Sequence, residues 1–321
     1  MLAMDTEGYE HRLRTTPSRV TIERVLPVVH KSGLDPMASA NLFAEDKALA
    51  TFLRLVSSEV AALPDLLSRY ATSDNPEVGH QLRVSLRRLR ALLWAYRDLL
   101  PVDFAKHWDT KLAAIASLVS APRDLDVLID ELLSAAFAPP QHPPSTLHAA
   151  LEVLRSDARK RSRLTLSATA STSIVRSFSR AVGSVARQPD DEAAKKVARR
   201  QVRNAFRQLE DLMSRVDDGS FRDLHRVRIR AKRLRYLLEY FHPVIRGRYR
   251  RHLEPLTQLQ TTLGQLNDVV VAGSFCSKLT KFADPLYASD LDYFTRWLLR
   301  ERMSRTRRSI KAVRKVRRHL S

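Results

Sequence analysis

Two basic segments of the chain carry a histidine followed by cations at steps of three and four residues. Residues 80–90 read H-Q-L-R-V-S-L-R-R-L-R, and residues 225–235 read H-R-V-R-I-R-A-K-R-L-R. A shift of 145 positions aligns the two segments without a gap. Guanidinium, ammonium and imidazolium groups all donate hydrogen bonds to phosphate oxygens, and guanidinium does so with a planar fork. The repeated pattern therefore predicts phosphate binding by both segments.

His80 and His225 could also serve catalysis, because histidine can transfer protons or accept a phosphoryl group. Neither has a carboxylate at a suggestive spacing, no H-E-x-x-H occurs, and no second histidine lies three to five residues away. The sequence also lacks the nucleotide-binding patterns G-x-G-x-x-G and G-x-x-x-x-G-K-[ST]. We therefore expect no catalytic residue, no metal site and no cofactor. Catalysis and plain packing are the alternative roles for the two histidines.

On a helix, the basic side chains of each segment fall in one stripe that spans an arc of about 80°. The stripes contain His80, Arg83, Arg87 and Arg90 in the first segment and His225, Arg228, Lys232 and Arg235 in the second. Beside them lie apolar faces made of Leu82, Leu86, Leu89 and Leu93 and of Val227, Ala231, Leu234 and Leu238. No acidic residue in either segment relieves the repulsion between the cations. A solvated face is the simplest interpretation, but it requires neither the adjoining apolar face nor the repeat.

The elements that would position these stripes are helices, because apolar residues recur at steps of three and four from about residue 42 onward. We therefore predict an all-α protein. Ser220 and Asp223 read as a capping box for the second basic helix, and four prolines in 138–144 predict a loop. The predicted helices cover about 42–70, 76–100, 104–120, 123–137, 146–187 with a break near 169–172, 191–216, 220–242, 249–263, 265–282 and 285 to the end.

A short segment that contains aspartate follows each basic segment and supports a duplication of one helical unit. We call these two segments the acidic echoes. R-D-L-D-V occupies 123–127, and N-D-V-V occupies 267–270. We expect Asp124, Asp126 and Asp268 to cap helices or to pair with arginines. The chain then divides into a first helical repeat, about 42–188, and a second, about 189–321. Residues 1–41 are interpreted as an N-terminal extension or linker remnant, and the basic stretch 300–318 could either fray or stay helical.

The composition points to a polyanionic partner. Lys and Arg number 55 against 35 Asp and Glu, which gives a net charge of +20, and 43 of the cations are Arg. Residues 151–321 carry 39 basic and 17 acidic side chains, so the excess lies in the second half. One cysteine, Cys276, excludes an internal disulfide framework and a multi-cysteine zinc site. No apolar run approaches the roughly 18–20 residues of a membrane span, and no export signal is evident, so we expect a cytoplasmic protein.

The paired H-x-x-R-x-x-x-[RK]-R-L-R segments, R-D-x-D-V at 123–127 and L-G-x-x-N-D at 263–268 together resemble the CHAD domain, an all-helical family named for its histidines. The similarity covers about residue 42 to the end. It implies two antiparallel four-helix bundles related by a pseudo-two-fold axis, with a basic groove between them that binds inorganic polyphosphate. Transferred by motif position, the binding residues would be His80, Arg83, Arg87, Arg90, His225, Arg228, Lys232 and Arg235.

Six further residues are candidates for the lining of this groove. Arg88 and Arg233 match the motif but point elsewhere on the helical wheel. Charge alone suggests the other four, which are Arg159, Arg163, Arg296 and Arg300.

The resemblance does not extend to an enzyme. CHAD domains often follow a CYTH triphosphatase domain, but this chain has no E-x-E-x-K strand, and 41 residues are too few for its β-tunnel. We therefore expect a non-catalytic polyphosphate-binding module that can associate with polyphosphate granules. A basic nucleic-acid-binding protein is the alternative, although the motifs lack the aromatic residues on which bases stack. A phosphohydrolase or polyphosphate phosphotransferase is the third hypothesis.

Overall fold

The computed structural model describes residues 47–73, 75–138, 145–168, 171–185, 192–216, 220–242, 250–282 and 284–320. Within these ranges the chain forms long helices, and its only strand-like feature is an isolated bridge between Lys47 and Ala193. The predicted all-α class is therefore confirmed. The helices are α1 Ala48–Thr72, α2 Pro76–Tyr96, α3 Phe104–Asp126, α4 Ser145–Ala168, α5 Ser171–Val185, α6 Ala194–Ser214, α7 Phe221–Tyr240, α8 Leu253–Leu279 and α9 Pro285–Leu320.

Two predicted helix breaks are wrong. Helix α3 continues through Pro122, and a π-helical segment, Val127–Leu133, extends it to Ala136. Helix α8 likewise continues through Gly264. A proline removes one backbone hydrogen bond, and a glycine costs about 1 kcal/mol relative to alanine. Both helices pack against several others, so tertiary burial outweighs these local penalties.

The two basic helices begin close to where the sequence predicts. Pro76 occupies the first turn of α2, and the side chain of Asn75 accepts a hydrogen bond of 2.9 Å from the backbone N–H of Glu77. At α7 the helix follows Ser220 as predicted, but the Ser220 side chain makes no capping hydrogen bond, so the expected capping box is absent there. Residues 1–41 lie outside the described ranges.

The predicted packing faces of α2 and α7 are buried. Each member of these faces is at most 2% exposed, and the residues are Leu82, Leu86, Leu89, Leu93, Val227, Ala231, Leu234 and Leu238. Helix α2 packs against α1 and α3, helix α7 packs against α6 and α8, and α2 and α7 also contact each other. This packing fixes the rotation of both basic helices, and the stripes of cations lie next to the buried faces.

Two hydrophobic cores connect the halves of the sequence. The larger core joins α1, α2 and α3 to α6, α7 and α8, and it includes Val313 and Val316 near the end of α9. The smaller core joins the π-helical segment and α4 to α8 and α9, through residues such as Leu151 and Phe294. The predicted arrangement of two separate repeated bundles stays a prediction, since both cores draw residues from both halves.

The basic stretch 300–318 is helical, which is one of the two alternatives that the sequence leaves open. It belongs to α9, and its apolar positions Val313 and Val316 are buried. Among the described helices, none combines enough length with enough apolar character to cross a membrane.

Candidate functional site

Four cations from the two basic helices form one electrostatic group. We call Arg83 and Arg87 of α2 together with Arg228 and Lys232 of α7 the central cation cluster. The charges of Arg228, Arg87 and Arg83 all lower the pKa of Lys232, and the charge of Arg228 lowers the pKa of Arg83. The helix contact thus brings half of the eight predicted binding residues together.

The cluster has few partners inside the protein. In the described part of the chain, the side chains of Arg83, Arg228 and Lys232 form no ion pair, and Arg228 Nε is buried without a hydrogen-bond partner. Within the described residues, the side chain of Arg87 donates to the backbone oxygen of Arg83, over 3.1 Å, and to no other acceptor. Buried cations are normally paired with carboxylates because an unpaired buried charge is expensive. The cluster therefore has unused capacity for an anion.

Burial lowers the pKa values of Lys232, Arg83 and Arg228 in the cluster. Burial is the main cause that lowers the pKa of Lys232 to about 6, and the neighbouring arginines lower it further, while Asp268 opposes the shift. Burial also lowers the pKa values of Arg83 and Arg228, but arginine starts so high that both stay protonated. At neutral pH without a ligand, the ammonium group of Lys232 is therefore mostly deprotonated.

Two carboxylates face the cluster, one from each acidic echo. Asp124 lies near the end of α3 and Asp268 lies in α8. Reduced hydration among these side chains raises the pKa of both carboxyl groups, and the nearby arginines oppose the shift. The charge of Asp268 also raises the pKa of Asp124, so the two carboxylates are close enough to repel each other. They partly offset the positive charge, although neither forms an ion pair within the part of the chain that the structure describes.

His80 lies at the edge of the cluster and in a small crevice. The crevice is also lined by Arg123, Asp126, Arg159 and Arg163. Reduced hydration is the largest cause that lowers the pKa of His80, Glu77 opposes it, and Arg87, Arg83 and Arg123 lower it further, although much of the imidazole surface is exposed. His80 is therefore mostly neutral at pH 7 in the ligand-free protein.

Two of the candidates suggested by charge alone, Arg159 and Arg163, come close to His80 in this crevice. Arg159 donates to Asp126 over 2.6 Å, and Arg163 donates to the backbone oxygen of Ser73 over 2.8 Å. The ion pair of Asp126 agrees with its predicted role as an arginine partner.

His225 occupies the corresponding position on α7. Its Nδ1 lies 3.2 Å from Oδ1 of Asn267, and its ring contacts the ring of Phe221. The contact with the amide oxygen fixes the orientation of the imidazole. Burial raises the pKa of Asp268, whereas the neighbouring Arg228 and the side chain of Asn267 lower it, so Asn267 lies beside both the histidine and the acidic residue of the cluster.

The last cation of each stripe is held by protein acceptors. Arg90 binds both oxygens of Asp109 on α3, with distances of 2.8 and 3.3 Å. Arg235 donates to Gln260 over 3.0 Å and to Glu239 over 2.6 Å. The helical wheel places both arginines in the stripes, but their guanidinium groups are committed to these partners.

Arg88 and Arg233 point away from the central cation cluster, as the helical wheel predicts. Arg88 pairs with Glu59 of α1, whereas Arg233 lies over the ring of Trp94. Of the two candidates on α9, Arg296 pairs with Asp292 at the surface, and Arg300 is exposed.

Sequence reasoning did not assign Arg123, Asn267 or the two facing aspartates to the site. Their signal was present in the acidic echoes at 123–127 and 267–270, but a helix cap or an arginine partner was an adequate explanation for them. Within the described residues, no group of three or more His, Cys, Asp or Glu side chains is placed to hold a metal ion.

Comparisons with known proteins give a consistent result. A family model described as the CHAD domain matches residues 56–277. The crystal structure of the CHAD domain from the plant Ricinus communis has a TM-score of 0.74 and 24% identity, and the alignment covers 84% of this chain and 92% of that one. PptA from Streptomyces chartreusis has a TM-score of 0.64 and 17% identity, with coverage of 86% and 99%. No curated protein sequence matches the chain. At these identities the two structures show likeness in fold alone.

Proposed function

The chain belongs to the CHAD domain family, and we propose that it binds inorganic polyphosphate at the central cation cluster without catalysing its breakdown. One observation carries the proposal. Three arginines and Lys232 from two helices converge, and none of them has a carboxylate bound within the described structure. A polyphosphate chain would supply the missing negative charge from outside.

The chemistry of the ligand matches the arrangement of the cluster. Polyphosphate carries closely spaced charges with condensed counterions, and cations that replace those counterions gain entropy on binding. Arg83 and Arg87 would contact the chain from α2, while Arg228 and Lys232 would contact it from α7. His80 and the crevice around it offer a continuation of the same basic surface.

Polyphosphate is a better candidate than nucleic acid. Single-stranded nucleic-acid sites normally provide aromatic side chains on which bases stack. The two basic segments, residues 80–90 and 225–235, contain no Phe, Tyr or Trp, and Tyr236, which directly follows the second segment, is buried. The two segments thus offer hydrogen-bond donors to phosphates but no aromatic ring to bases.

The surroundings of the histidines support binding over catalysis. A histidine that acts as a general base is usually oriented by a carboxylate on its second nitrogen. His225 is oriented by the amide of Asn267 instead. We expect both imidazoles to donate hydrogen bonds to phosphate oxygens of the polymer.

A titration with polyphosphate at several salt concentrations tests the site. We expect the double variant Arg83→Ala with Arg228→Ala to bind more weakly and to reduce the dependence of log K on log salt by about 1.4, since two phosphate contacts are lost. The matched control is Arg307→Ala with Arg308→Ala, two exposed arginines of α9. Equal losses in both variants would mean that diffuse charge binds the polymer. Displacement by DNA or RNA at equal phosphate concentration would favour the nucleic-acid alternative.

Two further assays address catalysis and location. Release of orthophosphate from polyphosphate in the presence of Mg²⁺, abolished in His80→Ala or His225→Ala, would contradict the non-catalytic proposal. A fluorescent fusion should co-localise with polyphosphate granules in the cytoplasm, and the Arg83→Ala with Arg228→Ala variant should lose this co-localisation.

A further inference from the structure

A second basic site lies outside the central cation cluster. A cavity of about 530 Å³ opens between the end of α2, the start of α3 and Arg233 of α7. This volume falls in the range of small-molecule sites. None of its lining residues belongs to the cluster. The lining consists of Trp94, Arg97, Asp98, Leu100, Pro101, Val102, Asp103, Ala105, Lys106, Asp109 and Arg233.

Arg233 lines this cavity, and its guanidinium group has no hydrogen-bond acceptor among the described residues. Its guanidinium carbon lies 4.5 Å from the centre of the Trp94 ring, and within the described residues the side chain forms no hydrogen bond and no ion pair. Burial, followed by the charge of Arg230, lowers its pKa to about 10, and Asp109 only partly opposes this. A partly buried guanidinium that only contacts a ring leaves its five donors available for an anion.

The aligned arginine of the first basic segment has a carboxylate partner, which Arg233 lacks among the described residues. Arg88 aligns with Arg233, and it pairs with Glu59 at 3.4 Å. Glu59 also accepts hydrogen bonds from Ser85 and Tyr240, over 2.9 and 3.0 Å, so the carboxylate is held firmly beside Arg88.

Another aligned pair, six residues further along, shows a related difference. Trp94 stands where the other segment has Glu239, a carboxylate bound by Arg235 over 2.6 Å. Among the described residues, the protein therefore neutralises Arg88 with the carboxylate of Glu59 but presents an indole ring, and no bound carboxylate, to Arg233.

We propose that the cavity binds a small organic anion whose single phosphate or carboxylate head pairs with Arg233. The ligand thereby takes the place that the carboxylate of Glu59 takes beside Arg88. Arg97, which also lies over the Trp94 ring at 4.6 Å, and Lys106 at the rim add further positive charge, and the exposed apolar side chains of Pro101 and Val102 receive an uncharged body.

The acidic lining separates this ligand from the polymer of the central cation cluster. Asp109 is already bound by Arg90, and Asp98 is bound by Arg97 over 3.4 Å and by Gln201 over 3.3 Å. The exposed Asp103, which has no ion-pair partner among the described residues, would repel the further phosphates of a chain. The cavity therefore selects a ligand with one anionic head.

Calorimetric titration with phenyl phosphate and, separately, with benzoate tests the proposal and distinguishes the two kinds of head. We expect saturable binding of one molecule of at least one of these probes. Arg233→Gln should weaken that binding by about tenfold or more, because a charge-assisted hydrogen bond is lost. The Arg83→Ala with Arg228→Ala variant should retain the binding, which separates this site from the polyphosphate site. Conversely, Arg233→Gln should still bind polyphosphate.

A second variant keeps the test valid if Arg233→Gln does not fold. Trp94→Glu places a carboxylate at the position that aligns with Glu239, and it should abolish probe binding while the circular dichroism spectrum stays helical. The proposal is overturned if neither probe saturates below about 10 mM, a limit that corresponds to very weak binding. It is also overturned if Arg233→Gln and Trp94→Glu both bind like the wild type, or if inorganic phosphate binds the cavity as tightly as phenyl phosphate.

Discussion

Polyphosphate binding should be accompanied by uptake of a proton at Lys232. In the ligand-free protein, burial and three neighbouring arginines hold the pKa of this side chain at about 6. A bound phosphate chain places negative charge beside the ammonium group, which favours its protonated form. The pKa should then rise toward the ordinary value of 10.5.

The size of the effect follows from the two pKa values. At pH 7.5, with a pKa of about 6, roughly 3% of Lys232 is protonated before binding, and nearly all of it should be protonated afterwards. Binding at this pH should therefore take up about one proton at Lys232, with an additional fraction at His80, whose pKa is also lowered. Affinity should be highest below about pH 6 and should fall by up to about tenfold per pH unit above it.

The measurement is calorimetry at pH 7.5 in buffers of different ionisation enthalpy and equal ionic strength. The slope of the observed enthalpy against the buffer ionisation enthalpy gives the number of protons taken up. Lys232→Arg is the matched control because it keeps the positive charge but cannot titrate in this range. It should bind polyphosphate at least as tightly at pH 8 and take up about one proton less.

Two results would refute this reasoning. One is an uptake close to zero in the wild type, which would mean that Lys232 is already protonated in the ligand-free protein. The other is an unchanged uptake in Lys232→Arg, which would assign the proton to another group. Either result would remove the claim that the cluster is desolvated before it binds its ligand.

Three further predictions concern stability and charge. The pKa of Lys232 is lower in the folded protein than in the unfolded chain, so the free energy of unfolding decreases as pH falls from 10.5 toward 6. Lys232→Met removes this titration and should raise the free energy of unfolding by about 1–3 kcal/mol at pH 6.5 and by less at pH 9. Urea denaturation at both pH values measures the difference. Glu59→Gln should lower the free energy of unfolding by about 2–4 kcal/mol, since Arg88 would lose a buried partner, whereas the exposed control Asp65→Asn should change it by less than about 0.5 kcal/mol. Asp268→Asn should tighten polyphosphate binding by roughly fivefold, because a negative charge beside the ligand is removed. Weaker binding of the variant in a titration would show that Asp268 instead positions the cations.

The sequence was a good guide wherever periodicity decides the structure. The helical wheel places Leu86 and Leu234 on packing faces, and both are completely buried. It also separates Arg88 and Arg233 from the stripes, and the structure agrees. These features depend on the rotation of a single amphipathic helix, which is encoded locally.

The partners of individual cations could not be predicted in this way. Arg87 and Arg90 share a stripe, but Arg90 binds Asp109, which lies on the next helix. The wheel contains no information about neighbouring helices, so it cannot separate an arginine that has a carboxylate partner from one that has none. The same limit explains the wrong break at Pro122, where contacts with other helices keep α3 continuous.

Helix α9 has a consequence for how the protein is made. Its first half supplies Leu291, Phe294 and Leu298 to the smaller core, and its second half supplies Val313 and Val316 to the larger one. During synthesis this helix leaves the ribosome after every helix that it contacts. Both cores therefore gain their contacts with α9 last, and the apolar surfaces that this helix covers stay exposed on the nascent chain until it has been made.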